Sequence, residues 1–176
     1  MEFKETQQLK LWWLYILIGL EALIIFLVMF VGKQHITFDE LHAMNYVPVL
    51  AIVAPFLLVY AINTISFNYE INERGVSYRY FSITGKHEFI PWHSIKNIYF
   101  RKYDALGEYG GWGVKYRLWF KLRDKAYVFN DNNKGLQIEL KNGKKILFST
   151  NKLDELELFL FNFNSRYKIP AIDNHG

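Results

Sequence analysis

The chain reads as an α+β membrane protein: a two-helix transmembrane hairpin, then a small antiparallel β-barrel or sandwich of about seven strands with a C-terminal capping helix. Three observations predict this. Residues 1–67 carry 8 of the 38 charged side chains and residues 68–176 carry the other 30; the apolar periodicity after residue 67 becomes two; and the last stretch returns to a helical repeat. A length of 176 residues allows about one domain. The absence of cysteine excludes a disulfide scaffold, a thiolate metal centre and a cysteine nucleophile.

Residues 11–31, LWWLYILIGLEALIIFLVMFV, contain one charge, Glu21; at ~1.5 Å per residue they reach roughly 30 Å, the thickness of a bilayer core. A cleaved signal peptide would have a shorter apolar region and a small-residue cleavage site, and this run closes on Val31, Gly32 and Lys33. Residues 46–67 carry no charge and are read as the second span, with Pro48 in its first turn and Pro55 inside it. The predicted division is therefore an anchor over 1–67 and a domain over 68–176. Lys4 and Lys10 precede the first span, Arg74, Arg79 and Lys86 follow the second, and the connecting loop holds only Lys33. That bias places both termini in the cytoplasm. Trp12, Trp13, Tyr15 and Tyr46 suit the interfacial aromatic belts.

The intramembrane polar residues are Glu21, Tyr60 and Asn63. A carboxylate at mid-bilayer costs on the order of 3 kcal/mol unless paired or protonated. Depth matches Glu21 with Tyr60 as hydrogen-bond partners, Asn63 being shallower; a copy of the chain, a partner's basic residue, or a proton path are the other readings. In the connecting loop, His35, Asp39 and His42 have the spacing of metal ligands on one helix. Thr37 and Glu40 instead read as a capping box, which starts the helix after Thr37 and leaves His35 outside it, so no metal site is expected.

In the second part, Phe67–Ile71 and Val76–Tyr80 alternate around the turn Asn72-Glu73-Arg74-Gly75, which predicts a hairpin. Strands are expected at His87–Ile90 and Ile95–Tyr103, with Gly107–Gly113 as loop. Tyr116, Leu118, Phe120 and Leu122 then fall on one face of a strand, read as core, and Lys115, Arg117, Lys121 and Arg123 on the other, read as cationic. Further strands are expected at 126–130, 136–140 and 144–149, the last two joined by Asn142-Gly143. Leu153, Leu156, Leu160 and Phe163 predict a helix over 152–166, with Asn151 as N-cap and Asp154, Glu155 and Glu157 at its positive end.

The order of hairpin, Ile90-Pro91-Trp92-His93-Ser94-Ile95, Glu108-Tyr109-Gly110-Gly111-Trp112-Gly113-Val114, Gly135–Leu140, Asn142-Gly143 and an acidic-start helix resembles bacterial pleckstrin-homology-like (bPH) domains. Small bacterial membrane proteins that place such a domain after a two-helix hairpin are similar over essentially the whole chain. The resemblance implies a PH-like fold, no catalytic residues, frequent self-association and a bacterial inner-membrane location. The segment from Arg117 to Lys125 departs from it as a longer basic and aromatic insertion.

Function classes divide on this basis. No Gly-x-Ser-x-Gly elbow, His-Glu-x-x-His pair or P-loop occurs, so an enzyme is not expected, and no cofactor is implied. The Gly110-Gly111-Trp112-Gly113 cluster is read as a bend rather than a phosphate loop. Residues 68–176 hold 18 Lys and Arg against 12 Asp and Glu. The lipid or partner surface is therefore placed at Lys115, Arg117, Trp119, Lys121, Arg123 and Lys125, which anionic lipid would attract at about 1 kcal/mol each. Nucleic acid is not expected for a membrane-docked domain with this modest excess. Two readings remain: a non-enzymatic scaffold or accessory subunit that assembles with itself or another membrane protein, and peripheral binding of anionic lipid.

Overall fold

A computed structural model of the chain describes residues 1–9, 12–31, 36–81, 85, 87–118, 121–130 and 132–172, without the side chains of Phe81 and Lys121. It is an α+β structure that divides into two compact units, Lys10–Thr64 and Met1–Leu9 together with Ile65–Gly176.

The chain begins with a strand, β1 (Phe3–Gln8), then helix α1 (Trp12–Phe26), which passes into a π-helical turn, Leu27–Val31. Together these form a continuous 20-residue apolar helix of mean hydropathy 2.8, long enough to cross a membrane. Helix α2 (Phe38–Ala43) starts at the expected capping box: Glu40 N donates to Thr37 Oγ1, and Thr37 N donates to the Glu40 carboxylate at 2.9 Å. Asp39 and His42 lie on α2, while His35 lies outside the described residues. Helix α3 (Val47–Asn63) continues through Pro55.

The bounds of the expected second apolar segment, 46–67, are corrected. Helix α3 has 17 residues, about 25 Å of rise, so among the described residues the first helix is the one of 18 or more apolar residues and α3 is a shorter apolar helix. Uncharged composition hid the change of period at its end. Ser66 and Phe67 are already strand, and Phe67 is fully buried in the β unit.

Strands β2 (Ser66–Asn72), β3 (Gly75–Phe81) and β4 (His87–Pro91) complete the first sheet, in the order β1-β2-β3-β4. A 3₁₀ turn, Trp92–Ser94, leads into β5 (Ile95–Lys102). Helix α4 (Ala105–Tyr109) replaces the front of the expected loop, because Asp104 caps it by accepting from Leu106 N and Gly107 N. Then come β6 (Gly113–Arg117), β7 (Lys121–Val128), β8 (Lys134–Leu140), β9 (Lys145–Ser149) and α5 (Leu153–Tyr167). The second sheet has the order β5-β8-β9-β7-β6.

Two further expectations change. The sheets, of four and five strands, are open rather than closed into a barrel, and β7 pairs with β9 in parallel, so the β unit is not wholly antiparallel. The N-terminal nine residues belong to the β unit, whose division from the helical unit falls at 64/65 rather than 67/68. Between the sheets lies an aromatic core. Phe67 stacks on Tyr127 at 4.6 Å and meets Phe148 edge-on at 5.0 Å. Leu156, Leu160 and Phe163 of α5 cover it, and the Trp92 indole donates to Asn72 O at 2.9 Å. The expected N-cap Asn151 is displaced by one position: Lys152 occupies the cap without a side-chain bond, and the Asn151 backbone N–H donates to Glu5.

Candidate interaction surfaces

The sequence places a cationic strand at residues 115–125, and the structure divides those residues among three roles. A single strand here would put Tyr116, Leu118 and Leu122 in the core. Instead the chain reverses between Arg117 and Lys121, so β6 and β7 form a hairpin with a register shift between Tyr116 and Arg117. Of β7, only Asp124–Tyr127 pairs with β9, so the hairpin end runs past that neighbour and has no sheet to bury it. Tyr116, Leu118 and Leu122 are accordingly exposed, Leu122 at 70%.

Arg117 is drawn away from the expected free surface. Its guanidinium pairs with Glu108 at 3.0 Å and with Asp124 at 3.3 Å, and Asp124 is 6% exposed. Arg101 joins from β5: it pairs with Glu108 at 3.1 Å, donates to Gln137 Oε1 at 2.8 Å and donates to the Tyr109 hydroxyl at 2.6 Å. That hydroxyl in turn donates to Asp124 at 3.2 Å. Burial pushes the Tyr109 phenol well above its ordinary range; the Arg101 charge opposes this and Asp124 adds to it, so the group stays neutral and can both donate and accept. Burial also works against ionisation of Glu108, but the Arg101 hydrogen bond, the Asp104 amide and the two guanidinium charges outweigh it and hold the carboxyl below its usual range. The network ties α4 to β5, β6 and β7. It is structural, with two arginines and two carboxylates satisfying one another.

Lys125 lies over the Tyr127 ring with its ammonium 4.8 Å from the centroid, which anchors it by cation–π attraction. Lys115 is half-buried on β6 and Arg123 is exposed on β7. Trp119 lies outside the described residues, as does the Lys121 side chain. The structure therefore leaves Lys115, Arg123 and Lys125 as the described cations of the hairpin without an ion pair among the described residues, Lys125 being held over the Tyr127 ring.

Sequence reasoning missed β1 and what it holds. Phe3, Glu5 and Gln7 face inward. The Glu5 carboxylate, 4% exposed, accepts from Tyr69 Oη at 2.6 Å, Thr150 Oγ1 at 2.7 Å and Asn151 N at 2.7 Å. Burial raises the Tyr69 phenol well above its ordinary range, and the Glu5 charge raises it further. Gln7 donates to Ser149 O and accepts from Ser149 Oγ at 2.6 Å. Only Phe3 on that face is apolar, so no alternation announced the strand. Glu2, Lys4 and Glu5 give the stretch no apolar or β-propensity signal of its own.

In the helical unit, the expected Glu21–Tyr60 hydrogen bond is not formed: both side chains are exposed. Asn63 at the end of α3 instead donates to Tyr15 near the start of α1 at 3.0 Å. Among the described residues, no group of three His, Cys, Asp or Glu is arranged to hold a metal ion.

These observations define a class: an α+β protein with an N-terminal apolar helix long enough to cross a membrane, two open sheets and an exposed basic and apolar hairpin. Compared with protein-family models, curated proteins and solved structures, the chain finds no match.

Proposed function

We propose that this chain is a non-enzymatic, membrane-anchored scaffold or accessory subunit, with a two-helix hairpin in a bacterial inner membrane and a PH-like unit on the cytoplasmic face. The observation that carries the reading is Glu21. It lies midway along the 20-residue apolar helix, is exposed, and has no hydrogen bond or ion pair among the described residues. In hydrocarbon, that leaves a carboxyl that costs about 3 kcal/mol until something pairs with it. The chain's own second helix does not do so: Asn63 is engaged with Tyr15, and Tyr60 is exposed without a bond to Glu21. A second copy of this chain or another membrane protein is the natural source of the partner.

Strand pairing supports two crossings rather than one. Gln8, the last residue of β1, is in register with Ser66, the first of β2. The chain therefore leaves and re-enters one sheet at a single place, and whatever lies between must cross a membrane an even number of times. With α1 spanning, α3 is the return. The positive-inside bias supports a cytoplasmic β unit.

Native sizing of the detergent-solubilised full chain tests the reading. The wild type runs as a complex; Glu21→Leu runs as a monomer, while Glu21→Gln, which keeps a hydrogen-bonding head, retains the complex. A Glu21→Leu protein that co-purifies with everything the wild type does would overturn it. A second reading, binding of anionic lipid, is favoured by the hairpin end of β6 and β7, where exposed apolar side chains accompany Lys115 and Arg123.

A further inference from the structure

We infer that the β unit docks on anionic lipid through one composite edge, in which Leu106 and Trp112 beside α4 and Leu118 and Leu122 at the end of the β6–β7 hairpin enter the headgroup region between Lys115 and Arg123. The inference rests on the membrane-anchored reading above and goes beyond the expected cationic strand, because it gives apolar insertion the leading part and removes Arg117 from it.

Local structure gathers Leu106, Trp112 and Leu118 around the end of α4, and Leu122 follows on β7 at the hairpin end. Leu118 N donates to Glu108 O at 2.8 Å, which folds the hairpin end back over α4. Helix α4 ends on Gly110 in the left-handed conformation, φ +71°, and Leu118 Cδ2 passes 3.5 Å from where a β-carbon on Gly110 would stand. Leu106 lies similarly against Gly111, φ +118°. Both leucines lie against this bend while still facing outward, at 61% exposure for Leu106 and 41% for Leu118. Trp112 shares an open cavity with Leu106. A run of this kind is costly in water unless something covers it.

Two observations select a lipid surface as the cover. The first is charge. Arg101 and Arg117 neutralise Glu108 and Asp124; Asp104, which caps α4, keeps its negative charge. Lys115, Arg123 and Lys125 outnumber it, and a positive apolar edge fits an anionic leaflet. The second is continuity of the α4 side of this edge with the point where the chain departs for its apolar helix. Gln7, next to the last residue of β1, accepts from Asn130, and Asn130 accepts from Tyr103. Tyr103 lines the cavity that Leu106 and Trp112 share. The outer face of α5, which exposes Leu158 and Phe161 among Asp154, Glu155 and Glu157, has the opposite charge and is repelled by the same surface.

The cysteine-free sequence allows a direct test on the full chain. Leu106→Cys, Leu122→Cys and, as control, Leu158→Cys are labelled with a polarity-sensitive dye. Each is reconstituted into phosphatidylcholine vesicles, with or without phosphatidylglycerol in both leaflets. The expected result is a blue shift, with quenching by doxyl-labelled lipid, at positions 106 and 122 in the anionic vesicles only, and none at 158. Lys115→Ala and Arg123→Ala lower the docked-to-undocked ratio about fivefold for each cation removed, and added salt lowers it too. Labels at 106 and 122 that stay as water-exposed as the one at 158, in vesicles that float with the protein, would overturn the inference and leave the anchor reading standing. Shielding that is equal in both vesicle types and rises with the number of copies per vesicle would overturn it in favour of a protein partner. Protein that fails to float with the vesicles would overturn the anchor reading, and this inference with it.

Discussion

Replacing Glu5 by alanine strands the donors that hold β1 against the end of β9. Three hydrogen bonds of 2.6–2.7 Å end on its carboxylate, from Tyr69, Thr150 and the Asn151 amide, and bonds to a charged acceptor contribute about 1.5–3 kcal/mol each. Against this stands the desolvation of a carboxylate that is 4% exposed and has no ion-pair partner among the described residues, a cost of several kcal/mol that the substitution relieves. Asn151 is exposed and can turn to water, whereas Tyr69 is 2% exposed and Thr150 fully buried. The net loss is therefore about 3 kcal/mol, most of it from the two stranded hydroxyls. Glu5→Gln keeps one acceptor oxygen, and either hydroxyl can rotate to accept from the new amide, so its loss is about 1 kcal/mol. Hydrogen-exchange mass spectrometry on the Phe3–Gln8 peptide of the full chain in detergent separates the two. A loss of 3 kcal/mol corresponds to exchange roughly two decades faster in Glu5→Ala; Glu5→Gln stays within about one decade of wild type. Wild-type exchange of β1 in Glu5→Ala would refute the view that this carboxylate secures the strand.

Arg117→Ala unpairs Glu108 and the buried Asp124 and lowers stability by about 1–2 kcal/mol, whereas Lys115→Ala stays within about 0.5 kcal/mol by thermal unfolding. Because the folded-state carboxyl of Glu108 titrates below its ordinary 4.5, its share of that stability is present above this value. It is lost as pH falls through the depressed pKa, so the wild-type advantage over Arg117→Ala narrows below about pH 4.5. Gly75→Ala places a β-carbon 2.2 Å from Ile90 O and 2.9 Å from Pro91 Cα, which forces β3 and β4 apart at a cost of about 2–3 kcal/mol, read as a lowered melting temperature. In the helical unit, a double-mutant cycle on Tyr15→Phe and Asn63→Ala in detergent returns a coupling of about 0.6 kcal/mol and below 2 kcal/mol, the range for hydrogen bonds between membrane helices.

The readable parts of the chain are those whose cause is local. The 11–31 run announces its helix by length and composition, Thr37 and Glu40 announce the cap of α2, Asn142-Gly143 announces the β8–β9 turn, and the Leu156, Leu160 and Phe163 spacing announces the buried face of α5. What misled was periodicity without context. The alternation from Tyr116 to Leu122 was real, but a turn in its middle converted a presumed core face into an exposed hairpin end. Phe67 was both the last residue of the uncharged 46–67 run and the first of the Phe67–Ile71 alternation, and its strand partners made it the centre of an aromatic core.

Sequence by itself determined that an apolar, nearly uncharged segment precedes a charged β-rich one, because hydrophobic composition and turn chemistry act over a few residues. Tertiary structure alone decided that β1 belongs with the strands that follow the helices, that Arg117 is spent on Glu108 and Asp124 while Lys115 and Arg123 are not, and that Glu21 faces outward. Each of those outcomes depends on which distant group arrives opposite a given side chain. Glu5 and Thr150 are 145 residues apart and hydrogen-bonded. No local pattern can encode such a pairing, since the stabilisation exists only once the two sheets have packed.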